Sequence, residues 1–469
     1  MSALFLGIET PGTGAHPASW RRPDSRAEDL FTADYWTEVI TSAEALGFDA
    51  VFLPDSFALQ EGGPAVTRGR LDAVAVAART ARLTRHIGLV PQVPVTHTEP
   101  FHVSKAIAAL DFASLGRAGW EVTVSTGETE AAAFGRKKIQ DTASLWHEAD
   151  EAVEVVTRLW DSWEDDAEIR DVPTGRFIER DRLHYIDFEG DNFSVKGPAI
   201  TPRSPQGQPI VTVRADDPSS TGIAVHRADL IRISAADLPT AAAHRLALRA
   251  AIAGSGRDPD AVRVLLDLPV HLADSVAVAH ADIDELDRWA ESPQHTGPSS
   301  AAGGERHQLD RPQATAASDH ANPPEDAHGP ADRASTAGRI RNALGRETFA
   351  GTDRSARDTE GSGGLRHVGT AATLDDLLTE IVRSGAADGV VLQPLAVHAT
   401  LSVLTAHRRP PTGARTEADG SRSADTTTAD APDAVPADSA SSAHRRDPTF
   451  RDRLGLPRPV SRYAAGAAL

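Results

Sequence analysis

The strongest constraint on the fold of this 469-residue chain is a repeated alternation of short β-rich runs with helix-spaced segments. Because a helical segment follows each run, consecutive strands are expected to pair in parallel. Eight repeats predict a closed (β/α)8 barrel. The main alternative is a doubly wound open sheet, which the absence of an opening dinucleotide-binding fingerprint disfavours. The eight runs are 3–8, 49–53, 87–91, 120–124, 209–213, 229–233, 262–268 and 389–393.

Low-complexity stretches interrupt this alternation. Residues 291–337 and 411–447 are rich in Pro, Gly, Ser and Asp and contain few large apolar residues. Such segments cannot bury enough apolar surface to offset the entropy of ordering, so we predict both, and partly 351–366, to be disordered. The predicted organisation is a barrel over 1–410 with a disordered insertion, a disordered linker, and a C-terminal segment, 448–469, that packs on the barrel.

Two further segments fall outside the simple repeat. Residues 164–208 are too long for one crossover and are predicted to form an excursion from the barrel, with an irregular hairpin in 177–198. The sequence RIRNALGRETF (339–349) is compatible with a short helix between the low-complexity stretches.

Charge and cysteine content exclude several classes of function. Asp and Glu number 67 against 48 Lys and Arg, for a formal net charge of −19, which argues against nucleic acid or an anionic membrane surface as the main partner. The absence of Cys excludes disulfides, thiolate nucleophiles and iron–sulfur clusters. The N-terminus lacks a basic region before its short apolar run, and no apolar run is long enough for a membrane span. We therefore expect a cytoplasmic protein.

Several motifs that carry chemistry are missing. The sequence contains neither a G-x-x-x-x-G-K-[ST] phosphate loop nor a G-x-S-x-G nucleophile elbow. Gly12 and Gly14 follow the first run without a third glycine, and His147 lacks the second histidine of a zinc helix. The histidines of 291–329 show no ligand spacing, so we predict no metal site.

Polar residues follow the ends of the first four predicted strands. In a (β/α)8 barrel the functional groups lie at the carboxyl ends of the strands, where the outgoing loops converge. Each residue alone is more typical of a cap or loop, and Asp55-Ser56 could cap a turn, but their convergence at one barrel mouth favours a functional site. The candidates are Glu9, Thr10, His16, Trp20, Pro54, Asp55, Ser56, Gln92, Thr96, His97, Thr98, Glu121, Thr123 and Ser125.

Longer strings carry a resemblance to a known family. FDAVFLPDS (48–56) and RLTRHIGLVPQVPVTHTEPFHVSKAIAALDFASLGRAGWEVTVST (82–126) resemble flavin-dependent monooxygenases of the bacterial luciferase-like superfamily. The most similar branch contains the nitrilotriacetate, pristinamycin IIA and dibenzothiophene-sulfone monooxygenases. The resemblance extends over nearly all of the chain outside the low-complexity stretches, and it is also carried by 20–36, 147–167, 193–211 and 449–456.

This resemblance implies an α/β fold of the luciferase-like TIM-barrel type that binds reduced FMN at the carboxyl ends of its strands. A separate NAD(P)H:flavin reductase would supply FMNH2, because the chain contains no reductase module. The flavin would react with O2 to a C4a-(hydro)peroxide that inserts one oxygen atom into a small organic substrate. The resemblance also implies a homodimer.

The resemblance assigns a cofactor-binding role to individual residues. Glu121 stands where the family usually has Asn, and Trp146 where it has a Tyr near the flavin phosphate. After the fifth strand, a Gln-Ala-Gly-x-Ser-type phosphate loop is replaced by 213–220, in which Arg214, Ser219 and Ser220 are the remaining donors. Asp55 and Ser56 match the end of the second strand beside the isoalloxazine, and Thr96 matches the end of the third strand, whose polar group faces the ring. Ser125 matches a Ser that follows at the exit of the fourth strand.

Three departures leave alternatives open. Ionised Glu121 only accepts hydrogen bonds, Trp146 lacks a hydroxyl, and Asp216 and Asp217 bring negative charge towards the expected phosphate. One alternative is a non-catalytic paralogue with weakened flavin binding, and another is a deazaflavin (F420)-dependent oxidoreductase on the same barrel. No general base stands out, and His16 and His97 are the only catalytic candidates on the rim.

Overall fold

Eight parallel strands close into a barrel in the computed structural model, which describes residues 4–59, 69–291, 364–408 and 447–464. The barrel closes because β8 pairs with both β7 and β1, and β6 with β7, so no edge of the sheet stays open. The predicted (β/α)8 fold is thus confirmed and the open sheet is excluded. The barrel strands are β1 Phe5–Glu9, β2 Ala50–Leu53, β3 Gly88–Pro94, β4 Gly119–Thr123, β5 Ile210–Arg214, β6 Leu230–Ile233, β7 Arg263–Leu272 and β8 Gly389–Pro394.

Helices surround the barrel, and several begin at a capping side chain. The carboxylates of Asp72, Asp141 and Asp237 each accept a backbone N–H of the first helical turn, which satisfies a donor that the helix leaves free. The helices are α1 Ala33–Ala45, α2 Ala73–Ala81, α3 Pro100–Ala113, α4 Glu128–Phe134, α5 Thr142–Asp161, α6 Pro218–Arg227, α7 Leu238–Gly254, α8 Val276–Glu291, α9 Ala371–Ser384, α10 Val397–Arg408 and α11 Phe450–Leu454.

Alternate residues of each strand face opposite sides of the barrel wall. In β7, Leu266, Leu268 and Val270 point outward into the large core shared with the helices. Leu265 points inward instead, into a smaller cluster at the amino-terminal end of the strands. Because both faces of the wall are buried, the runs read as nearly continuous apolar sequence.

The C-terminal helix α11 plugs the amino-terminal end of the barrel. Phe450 is fully buried among inward-facing side chains that include Phe5 and Phe52. Gly88 makes room for it, since a Cβ at that position would lie 2.6 Å from the Phe450 ring. Next to it, Arg451 binds the carboxylate of Asp229 through two hydrogen bonds of 2.9 and 2.6 Å.

The excursion between α5 and β5 contains two short antiparallel pairs, Glu168–Asp171 with Arg176–Ile178 and Phe188–Glu189 with Ser194–Val195. The second pair falls within the stretch predicted as an irregular hairpin. The segments predicted to be disordered, and the short helix over 339–349, lie outside the described residues apart from their edges. In the described part of the chain, no helix is long and apolar enough to cross a membrane.

Glu154 in α5 connects three parts of the fold, and its ion pairs predict that the protein loses stability in acid. Its carboxylate binds Arg158 at 2.6 Å, Arg462 of the C-terminal segment at 3.1 Å, and Arg227 of α6. Burial alone would raise the pKa of Glu154, but these guanidinium groups lower it to about 2.

Because the unfolded chain binds this proton more readily, Glu154 stabilises the fold fully above pH 4.5. That contribution, roughly 3 kcal/mol, is lost as the pH falls towards 2. Urea unfolding between pH 6 and 3 is expected to show stability falling with acidification, with a shallower fall in Glu154→Gln. Identical slopes in both proteins would contradict this assignment.

Candidate functional site

A layer of polar side chains crosses the inside of the barrel just below the carboxyl ends of the strands. Seven of the eight strands contribute one inward-facing polar residue to it, whereas a typical barrel interior is filled with branched apolar residues. Five of these form what we call the interior ion network: Glu9 of β1, Glu121 of β4, Arg214 of β5, Arg232 of β6 and Asp267 of β7.

The two guanidinium groups of the network each bind all three carboxylates. Arg214 donates to Glu121 at 2.9 Å, to Asp267 at 2.7 Å and to Glu9. Arg232 donates to Asp267 and Glu121, both at 2.7 Å, and also contacts Glu9 at 2.6 Å. The guanidinium of Arg232 lies 4.7 Å from the centre of the Phe52 ring below it.

Two glutamines extend the network to the neighbouring strands. The side-chain amide of Gln92 in β3 donates to Glu121 at 2.8 Å, and its oxygen accepts the backbone N–H of Asp55 at 3.1 Å. In β8, Gln393 donates to Glu9 at 3.2 Å and to Asp267 at 3.4 Å. The layer is therefore a connected ring rather than isolated ion pairs.

The electrostatics of the network follow from its burial. Burial would raise the pKa of Glu121, but the charges of Arg232 and Arg214 lower it to about 2. Burial raises the pKa of Asp267 despite the same two partners. Because three carboxylates face two guanidinium groups, the network holds one excess negative charge unless one carboxyl is protonated. The raised pKa of Asp267 favours protonation of that carboxyl.

Arg214 and Glu121 are thus placed differently from the positions that the sequence suggested. Arg214 was predicted as a phosphate donor in the loop after β5, but its side chain points into the barrel and binds three carboxylates. Glu121, predicted to contribute to cofactor binding from β4, is fully buried and accepts hydrogen bonds from Arg214, Arg232 and Gln92. Their assigned roles in cofactor binding remain predictions that this geometry does not favour.

Above the network, two hydroxyl groups at the end of β4 are buried without a hydrogen-bond partner. Thr123 shares the inward face of Glu121, one step closer to the mouth, and Ser125 follows it. The backbone N–H of Ser125 donates to the hydroxyl of Thr96, at 2.9 Å, which fixes the loop after β3 against that after β4. Buried unpaired hydroxyls are costly, so they mark a place where a ligand would be stabilised.

Asp55 and Ser56 hold the loop after β2. The Asp55 carboxylate accepts the backbone N–H of Ser56 at 2.7 Å and of Ala73 at 2.9 Å, so it ties that loop to the start of α2. The Ser56 hydroxyl donates to Glu130 of α4 at 3.2 Å. The capping interpretation accounts for Asp55, and the structure brings both residues to the mouth as predicted.

The two rim histidines differ in their surroundings. His16 is buried, binds Asp287 of α8 at 3.0 Å and accepts the backbone N–H of Ala18 at 3.1 Å, which is a structural role. His97 stacks on Phe134 at 4.8 Å, and its buried Nδ1 has no partner. Burial and the charge of Lys137 lower the pKa of His97, so its imidazole is neutral near pH 7. The unpartnered Nδ1 can then form a hydrogen bond with a ligand.

Trp146 lies in the first turns of α5 and is almost fully buried in the main hydrophobic core. Lys137, close by in sequence, donates to the carbonyl oxygen of Thr96 at 2.7 Å and pairs with the buried Glu148 of α5. The indole therefore contributes to packing, and its role in cofactor binding stays a prediction.

Ser219 and Ser220 begin α6, as the predicted phosphate loop requires, but their N–H groups are already engaged. The carboxylate of Asp217 accepts both, at 2.7 and 3.1 Å. The Ser220 hydroxyl accepts the N–H of Asp217 at 3.0 Å, which completes a capping box. The N–H groups of Ser219 and Ser220 are thus bound by the chain's own carboxylate.

Outside the mouth, one further group of potential metal ligands lies among the described residues. His147 contacts Asp191 at 3.0 Å and Glu151 at 3.4 Å. Glu151 also accepts the N–H groups of Asp191 and Asn192, both at 2.8 Å, which attaches the second hairpin to α5. These contacts explain the cluster without an ion.

Sequence reasoning missed Arg232 and Asp267. A signal was present, because each is a charged residue at an inward position within an apolar strand, in LIRI and LLDL respectively. A charge at such a position must be paired, and a barrel offers partners only from the other strands.

A model of the luciferase-like monooxygenase family matches residues 10–387. The chain belongs to the luciferase-like monooxygenase family. It is 34% identical over 283 residues to N-acetyl-S-(2-succino)cysteine monooxygenase of Bacillus subtilis (strain 168), covering 60% of this chain and 64% of that protein. It is 32% identical over 284 residues to dibenzothiophene-sulfone monooxygenase of Rhodococcus erythropolis, covering 58% and 62%. The chain thus spans less than two thirds of the length of these luciferase-like relatives.

Solved structures agree with this family fold. The crystal structure of long-chain alkane monooxygenase superposes with a TM-score of 0.67 at 18% identity, over 97% of this chain and 96% of that chain. A structure of riboflavin lyase with modified FMN and riboflavin gives a TM-score of 0.66 at 23% identity, over 96% of both chains. The luciferase-like barrel is therefore common to all three.

Proposed function

We propose that this chain is the oxygenase component of a two-component flavin-dependent monooxygenase. It would take reduced FMN from a separate NAD(P)H:flavin reductase and insert one atom of O2 into a small organic substrate. The observation that carries the proposal is that the hydroxyls of Thr123 and Ser125, at the mouth of a closed barrel, are buried and have no hydrogen-bond partner. Support comes from the family match and from relatives such as nitrilotriacetate monooxygenase component A of Aminobacter aminovorans, 30% identical over 295 residues.

The mouth fits the ring of a flavin better than its phosphate. A tricyclic ring with polar edges can satisfy the two orphan hydroxyls and the unpartnered Nδ1 of His97. At the start of α6, in contrast, Asp217 occupies the N–H groups of Ser219 and Ser220. The residues present therefore suit an isoalloxazine and do not suit a phosphate at that loop.

When bound, reduced flavin supplies the oxygen chemistry, for which the chain offers no group of its own. The chain's part is to orient the ring and to exclude water. The interior ion network forms a rigid floor, because each guanidinium of Arg214 and Arg232 is fixed by three carboxylates. Thr123 and Ser125 would hold one edge of the ring above that floor.

Anaerobic calorimetry with reduced FMN tests the proposal. We expect a dissociation constant on the order of micromolar, and about fivefold weaker binding by Ser125→Ala, which removes one hydrogen bond. Ser255→Ala is the control, because this serine follows α7 at the opposite end of the barrel. Binding of reduced F420 and not FMN would contradict the proposal and favour a hydride-transfer enzyme.

A second candidate is a non-catalytic paralogue that keeps the barrel as a binding protein. It is favoured by one observation, namely that Glu121, a departure from the family pattern, binds the predicted phosphate donor Arg214 at 2.9 Å and that neither faces a ligand. Failure of reduced FMN and of F420 to bind would support it. The homodimer implied by the resemblance stays a prediction, which light scattering of the purified protein checks.

A further inference from the structure

The loop after β5 leads into α6, whose first turn is capped by the chain's own side chain. Of the first residues of α6, Pro218 has no N–H, and the N–H groups of Ser219 and Ser220 donate to Asp217 at 2.7 and 3.1 Å. The N–H of Thr221 donates to the Asp217 carbonyl oxygen at 2.9 Å. The donors that a phosphate would need at this helix are therefore already used inside the chain.

The charge around this loop also opposes an anion. Asp217 places a carboxylate where the helix dipole would attract a phosphate, and exposed Asp216 adds a second negative charge. Arg214, the cation next to the loop, is turned into the barrel and is neutralised by Glu9, Glu121 and Asp267. A phosphate at the start of α6 would displace the Asp217 cap and meet no compensating cation from this loop.

The geometry points to a flavin site that recognises the ring and not the 5′-phosphate. We propose that the barrel mouth accepts unphosphorylated flavin, at the level of riboflavin, about as well as FMN. This inference rests on the proposed function, because it concerns the same mouth. The inference goes beyond the proposed function because it names the part of the cofactor that this chain recognises. It identifies Asp217 as the specificity-determining residue.

Anaerobic calorimetry with reduced riboflavin and reduced FMN in parallel tests this inference. Riboflavin is expected to bind no more than about threefold more weakly than FMN. A larger preference for FMN would overturn the inference and leave the proposed function intact. If neither flavin binds, the proposed function and the inference fall together.

The variant Asp217→Asn isolates the charge, because Asn is an equally good helix N-cap and keeps the capping geometry. It should strengthen FMN binding by about tenfold and leave riboflavin binding unchanged. The control is Asp258→Asn, which removes the same charge from a capping position after α7, at the opposite end of the barrel. Equal changes for both flavins in Asp217→Asn would show that Asp217 acts on the fold and not on the phosphate, against the inference.

Discussion

Replacing Arg232 by methionine is expected to lower the free energy of unfolding by about 3–5 kcal/mol. Arg232 is fully buried and donates to Glu121 and Asp267 at 2.7 Å, while it also contacts Glu9. Without it, three buried carboxylates face Arg214 alone, and the excess negative charge of the network grows by one. Methionine retains much of the side-chain volume, so the loss measures charge and hydrogen bonding more than cavity formation.

Chemical unfolding monitored by circular dichroism checks this value. Arg383→Met is the matched control, because Arg383 is largely exposed and pairs only with Glu380 on the surface of α9, so a change within about 0.5 kcal/mol is expected. Adding Asp267→Asn to Arg232→Met restores the original charge balance and should recover part of the loss. A loss under about 1 kcal/mol in Arg232→Met would contradict the network as a stability determinant.

Truncating the plug of the barrel, Phe450→Ala, is the second large effect. We expect a loss of about 3–5 kcal/mol, because a fully buried aromatic ring is removed from a cluster of inward-facing side chains. Gly88 cannot fill the space, since it carries no side chain. The amino-terminal end of the barrel would thus be left with a cavity.

Phe177→Ala makes the same chemical change at a largely exposed position in the first hairpin of the excursion, and its effect should stay within about 0.5 kcal/mol. The two variants are compared by thermal and urea unfolding. A comparable stability for Phe450→Ala and the native chain would mean that α11 only rests on the barrel and does not complete its core.

The sequence was sufficient to predict the barrel, because each strand has an apolar outward face and is followed by a helical segment. Every one of the eight predicted runs overlaps a barrel strand, for example 229–233 with β6 and 389–393 with β8. The short helix α4 and the strand His367–Gly369, which pairs with β7, were not predicted. Both are short, and their formation depends on contacts from elsewhere in the fold rather than on local periodicity.

The sequence predicted which residues lie at the candidate site, but not which of their side chains bind one another. Asp55, Thr96 and Ser125 lie at the strand ends as expected, because the carboxyl ends of parallel strands meet at one mouth. The orientation of Arg214 and the partners of Glu121 were not predictable, since they depend on Arg232 and Asp267 from strands more than a hundred residues away from Glu121. Residue type alone could not show that the charged side chains of Glu121 and Arg214 would bind each other.

The charged groups at the ends of β4 and β5 bind partners within the chain. Glu121, which stands where the resemblance implies Asn, accepts a hydrogen bond from Arg214 at 2.9 Å. A few residues further, the carboxylate of Asp217 caps α6. Both are interactions within the chain, whereas the hydroxyls of Thr123 and Ser125 and the Nδ1 of His97 have no partner among the described residues.

A crystal structure of the chain with flavin bound would show whether the barrel mouth holds the flavin ring. Density for the ring is expected above Arg214, with a polar ring atom within hydrogen-bond distance of Ser125 Oγ or Thr123 Oγ1. Density only in the cavity of about 610 Å³ lined by Trp163 and Arg203, before β5, would contradict it. A ring at the mouth with its phosphate on the Ser219 and Ser220 N–H groups would overturn only the inference about the 5′-phosphate, whereas a mouth without a ring would contradict the proposed flavin site itself.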